Sequence, residues 1–156
     1  MPRAHPHWTA VFQSIANQQV ENVFISGVRG MSNEKDSRNL ICIIDDAIHL
    51  MSHVKDFLEF SGFQIETADN GEAGIEVILA NNPGAVLVDM QMPGVSGLDV
   101  VERVRSEGYS GHIIVATGHT SDEDKQACLS SGADEFLTKP YSLSNLEQSI
   151  KKATSG

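Results

Sequence analysis

Five residues have the types and spacing to do chemistry together: Asp45, Asp46, Asp89, Thr117 and Lys139. Each follows a short apolar run: Leu40 to Ile44 before the acid pair, Ala85 to Val88 before Asp89, His112 to Ala116 before Thr117, and Glu135 to Thr138 before Lys139. If these runs are parallel strands of one sheet, four strand ends deliver three carboxylates, a hydroxyl and an ammonium to a single edge. Three carboxylates a few ångströms apart repel, so either their pKa values rise or a cation neutralises them. Hard oxygen donors favour Mg2+, which takes few protein groups and keeps several waters. A carboxylate beside that cation can attack a phosphoryl group while the metal and a lysine disperse charge on the equatorial oxygens. Asp89 is the expected carrier of the resulting aspartyl phosphate.

The elements that must position these groups are legible in the apolar pattern. A fifth run, Phe63 to Thr67, completes a set of strand-length segments rich in Ile, Val and Leu. Between them Ile48, Met51, Val54 and Leu58 form one helical stripe, Leu98, Val101 and Val104 another, and Leu143, Leu146 and Ile150 a third. Two further helices are expected over about 71 to 81 and 121 to 130. Helix starts are marked by Asn70, by Ser96 with Asp99, by Thr120 with Glu123 and by Ser144 with Glu147. Alternating strands and helices build a parallel sheet covered on both faces. Right-handed crossovers then predict a flavodoxin-like, doubly wound (βα)5 α/β fold with strand order 2-1-3-4-5. In that order the ligand site lies beyond the carboxyl ends of strands 1 and 3, where the acids are.

Composition narrows the function. The 156 residues include 21 acidic and 11 basic side chains, a formal charge of -10, which argues against nucleic-acid or anionic-membrane partners. Cys42 and Cys128 form no metal or redox spacing and are too few for a disulfide framework, so a reducing cytoplasm fits. No apolar segment approaches the roughly 20 residues that span a bilayer, and no signal-peptide order opens the chain. Residues 31 to 39 hold one apolar residue in nine and read as a linker, so residues 1–39 form an extension, 40–152 the main domain and 153–156 a tail. Within the extension Trp8, Val11, Phe12 and Ile15 permit one amphipathic helix.

Four stretches, Ile43-Ile44-Asp45-Asp46, Val88-Asp89-Met90-Gln91-Met92-Pro93-Gly94, Ala116-Thr117-Gly118 and Leu137-Thr138-Lys139-Pro140, together resemble the receiver domain of bacterial two-component response regulators. The resemblance implies that Asp46, Asp89 and the backbone carbonyl of Gln91 ligate Mg2+ directly, with Asp45 acting through water. It implies that Lys139 and Thr117 hold phosphoryl oxygens, and that Thr117 and Phe136 move together as a switch at the face of helix 4, strand 5 and helix 5. Gln91 and His119 resemble positions that tune loss of phosphate, and the Lys139-Pro140 bond is expected to be cis. The partners implied are a sensor histidine kinase or histidine phosphotransfer protein and a downstream target protein, and dimerisation on phosphorylation is compatible with that role. A receiver is a signalling phosphoacceptor, not an enzyme acting on a separate substrate.

Taken singly, each feature has an ordinary explanation. Asp45-Asp46 suits a helix N-terminus, Asp89 before Met-Pro-Gly suits a strand-ending turn, and Lys139 before Pro140 suits a solvated turn. His49 and His53 are spaced i, i+4 but lack a third ligand. A flavin module of this fold needs a phosphate loop where two carboxylates stand here, and an aspartate-nucleophile phosphatase needs an Asp-x-Asp pattern where Asp89-Met90-Gln91 stands. The stronger rival is an interaction module with the receiver fold that works without phosphate. Only 17 residues follow Lys139, enough for one helix, so a stand-alone receiver is expected, acting as a diffusible signal or as a relay.

Overall fold

The computed structural model describes residues 37–118 and 121–155. Residues 1–36, with the Trp8 to Ile15 stripe, and residues 119, 120 and 156, with His119 and Thr120, lie outside the described residues. Five parallel strands, β1 (Leu40–Ile44), β2 (Gln64–Ala68), β3 (Ala85–Asp89), β4 (His112–Thr117) and β5 (Glu135–Thr138), are arranged in the order β2-β1-β3-β4-β5. The helices between and after them are α1 (Ser52–Phe60), α2 (Gly71–Asn81), α3 (Gly97–Ser106), α4 (Asp122–Ser130) and α5 (Leu143–Thr154). This is the flavodoxin-like doubly wound sheet that the sequence pattern predicts.

Side-chain alternation along the central strands divides the core into two layers. Cys42, Ile44, Val86, Val88, Ile113 and Val115 point to one face, where Ile78 of α2, Val101 and Val104 of α3 and Cys128 of α4 cover them. Ile41, Ile43, Ala85, Leu87, Ile114 and Ala116 point to the other, against Val54 and Leu58 of α1 and Leu146 and Ile150 of α5. Strand β3 is buried along all five residues because it has a strand on each side and helices on both faces.

Several boundaries differ from the expected ones. The first helical stripe is split into a 3-10 turn, Ile48–Leu50, and α1, because Met51 between them has a non-helical backbone (φ -106°, ψ 23°). Strand β2 starts and ends one residue later than its apolar run. Asn70 caps α2 by accepting from the Ala73 amide, and Ser96 with Asp99 forms a full capping box at α3. Two caps are displaced. Helix α4 is capped by Ser121, which accepts from the Asp124 amide, and α5 by Ser142, which accepts from the Asn145 amide. With Ser142 as the cap, Glu147 is the fifth helical residue and too far along α5 for a box; instead Ser61 donates its hydroxyl to it from just past α1, and Lys151 pairs with it at 3.5 Å.

Candidate functional site

The carboxyl ends of β1 and β3 lie side by side, with Ile44 opposite Val88, so Asp45 and Asp89 extend from adjacent strands. Asp45, Asp46 and Asp89 each bring one carboxylate oxygen to within 4.8 Å of the others. Asp45 and Asp89 are only 5% and 9% exposed, whereas Asp46 faces solvent. The loop geometry fixes the buried pair: the Ala47 amide donates to Asp45 Oδ1 at 2.9 Å and the Gln91 amide to Asp89 Oδ1 at 3.3 Å.

Lys139 enters from the end of β5 and bridges both acids, with Nζ 3.2 Å from Asp45 Oδ2 and 3.3 Å from Asp89 Oδ1. The Lys139 backbone N–H donates to the Thr117 carbonyl at 2.8 Å, and the Lys139-Pro140 peptide is cis. Burial pushes the Asp89 carboxyl up and nearby Asp45 pushes it further, while Lys139 and the Gln91 amide pull it down; the balance lies above the ordinary aspartate value. Burial alone would lower the Lys139 ammonium, but the facing carboxylates of Asp45 and Asp89 outweigh it and hold it above the usual lysine value. Among the described residues one cation therefore faces three acids, leaving an excess of negative charge in a small, partly buried space lined by hard oxygen donors. That donor set fits a hard divalent cation.

Thr117 ends β4, 2% exposed, opposite Thr138 of β5. Phe136 lies opposite Val115, so Thr117 and Phe136 share one sheet face on neighbouring strands, one step apart along the ladder. The Gln91 side chain is exposed. Two neighbours lie outside the set of residues expected at the site. Tyr141, two residues after Lys139, is half-buried with its phenol pushed up by burial, and Lys125 of α4 places its Nζ 5.3 Å from the centre of the Phe136 ring. Tyr141 could have been noticed from its spacing to Lys139; Lys125 could not.

A doubly wound sheet that gathers a carboxylate cluster and a lysine at its topological switch point defines a small class of α/β proteins. The family model described as the response regulator receiver domain matches residues 41–151, and the chain belongs to that family. Response regulator MprA of Mycobacterium sp. (strain KMS) is 35% identical over 106 residues, which cover 68% of this chain and 46% of that protein. MprA of Mycobacterium bovis (strain BCG / Pasteur 1173P2) is 33% identical with the same coverage. The chain thus spans about half the length of the curated relatives it matches. Among solved structures, the chemotaxis protein CheY4 of Vibrio cholerae superposes with a TM-score of 0.68 at 26% identity, covering 73% of this chain and 97% of that one. A response regulator receiver domain protein from Clostridium thermocellum gives 0.69 at 28% identity, covering 74% and 94%. Two-component signalling is the setting of such domains. Among the described residues no helix is long and apolar enough to cross a membrane.

Proposed function

We propose that Asp89 accepts a phosphoryl group from the phosphohistidine of a sensor histidine kinase or phosphotransfer protein. The observation that supports this best is the pairing of Asp89 with Lys139 beside Asp45 and Asp46 at the carboxyl edge of β1 and β3. Both polar contacts of Asp89 among the described residues fall on Oδ1, from the Gln91 amide and Lys139, which leaves Oδ2 to attack phosphorus. A new P–O bond forms to Asp89 as the P–N bond to histidine breaks, and the imidazole leaves with the electron pair.

Asp46, Asp89 and the Gln91 carbonyl would hold Mg2+ directly, with Asp45 acting through water. Bound there, the ion supplies positive charge next to the transferring oxygens. Lys139 neutralises a further oxygen, and the Thr117 hydroxyl donates to another. Drawing Thr117 toward that oxygen opens space on the shared face into which Phe136 turns, altering the surface of α4, β5 and α5 that a downstream protein reads. Gln91 and His119 set the lifetime of the acyl phosphate by orienting or screening water. Two free buried cysteines suit a reducing cytoplasm. Acyl-phosphate lifetimes of wild type and His119→Ala, measured side by side, are expected to differ; equal lifetimes would remove His119 from the account.

A further inference from the structure

Helix α4 begins with three consecutive acids, Asp122, Glu123 and Asp124, and Lys125 follows them directly. Despite those neighbours, among the described residues Lys125 forms no ion pair within 4.0 Å. Its ammonium lies instead 5.3 Å from the centre of the Phe136 ring. The geometry of the helix explains the choice. Cys128, three residues on and so on the same side of α4, is fully buried in the cluster against which Phe136 packs, so the Lys125 stem leaves the helix on its inward side and ends over β5. A cation within about 6 Å of a ring face is attracted by the ring's quadrupole.

We propose that Lys125 is a positioning residue that holds Phe136 in the place seen here and so opposes the switch. The inference rests on the proposed coupling of Phe136 to Thr117. With Asp89 paired to Lys139, Phe136 stays under the Lys125 ammonium; when a phosphoryl group draws Thr117 away, the ring follows and the cation–π contact is lost. A contact made in one state and lost in the other biases the equilibrium by its own strength. For a partly exposed pair that amounts to about a two- to five-fold change in population. Lys125 thus sets how readily the domain enters its signalling state without touching the phosphorylation site.

The test uses the full chain carrying 4-fluorophenylalanine at position 136, as wild type, Lys125→Met and Lys125→Arg, each with Mg2+ and acetyl phosphate. Phosphoryl incorporation is followed by intact mass and ring position by fluorine NMR. The expected result has three parts. Wild type takes one phosphoryl group and its fluorine resonance moves. Lys125→Met starts with the resonance already displaced toward the phosphorylated position and is modified about two- to five-fold faster. Lys125→Arg, which keeps the cation, behaves as wild type. If wild type responds as stated but Lys125→Met matches it in both resonance and rate, or Lys125→Arg matches Lys125→Met, the role of Lys125 is overturned alone. If wild type takes no phosphoryl group, or takes one with a fixed resonance, the underlying reading fails and the inference with it.

Discussion

At the residue scale, the site is a balance of charges in which burial and like charge oppose ionisation of Asp89. Asp89 has its folded-state pKa raised, chiefly by burial and with Asp45 adding to it against the pull of Lys139. A raised folded value means that the contribution of this group to stability is full below the unfolded pKa, near 3.8, and is lost as pH rises through the folded value. Asp89→Asn removes that loss. Without divalent cations the variant is expected to be more stable than wild type at pH 7 by on the order of 1 kcal/mol. The gap should shrink as pH falls toward the aspartate range, and added Mg2+ should stabilise wild type more than the variant. Urea midpoints at two pH values with and without Mg2+ check this; a less stable Asp89→Asn at pH 7 would contradict it. Cys42 gives a second dependence of the same sign at higher pH. Burial in β1 pushes its thiol up to about 12 from 9.0, with Glu66 adding to the effect, so its stabilising contribution is complete below pH 9 and fades between 9 and about 12. Native protein at pH 8 should therefore show neither Cys42 nor Cys128 reacting with iodoacetamide, whereas urea-unfolded protein should show both. Alkylation of Cys42 in folded protein would refute its placement.

At the element scale, the turns that carry the site are set by close backbone approach. A Cβ on Gly97, the first residue of α3, would clash with the Asp89 carbonyl oxygen, which is backbone and cannot swing away. Gly97→Ala should cost about 2–3 kcal/mol in spite of the better helix propensity of Ala. Gly118→Ala, where nothing among the described residues lies within 4 Å of the added Cβ, should be tolerated. Thermal melts of the two variants compare them directly, and equal melting temperatures would show that the β3–α3 turn is not so constrained. Ser96→Ala, which deletes the α3 capping box, should cost about 1 kcal/mol by the same measurement. The helix starts also show where sequence stops informing. Ser96 stands alone as a cap and is legible, and Asn70 is the observed cap although Asp69 precedes it with Glu72 three residues on. Ser121 follows Thr120, and each hydroxyl has an acid three residues on, so the pattern cannot choose between them. Ser144 with Glu147 looks like a box, yet Glu147 serves Ser61 just past the end of α1, a partner 86 residues away. Such a contact is invisible to local pattern because the fold alone brings it together.

At the scale of the whole molecule, the order of strands was readable because alternating runs and stripes admit few parallel arrangements, and the acid edge followed from that order. Asp45, Asp46, Asp89, Thr117 and Lys139 were legible because each terminates a run. The bidentate reach of Lys139 to two acids and the Lys125–Phe136 contact were not, since both depend on side-chain directions across layers. Membership of the receiver family fixes the setting, and the proposed function requires that Asp89 take phosphate. The full chain incubated with acetyl phosphate and Mg2+ and weighed by intact mass spectrometry should gain one phosphoryl group that hydroxylamine removes, while Asp89→Asn gains none. A wild type that stays unmodified, as a phosphate-independent interaction module would, or an Asp89→Asn variant that is modified equally, would contradict it.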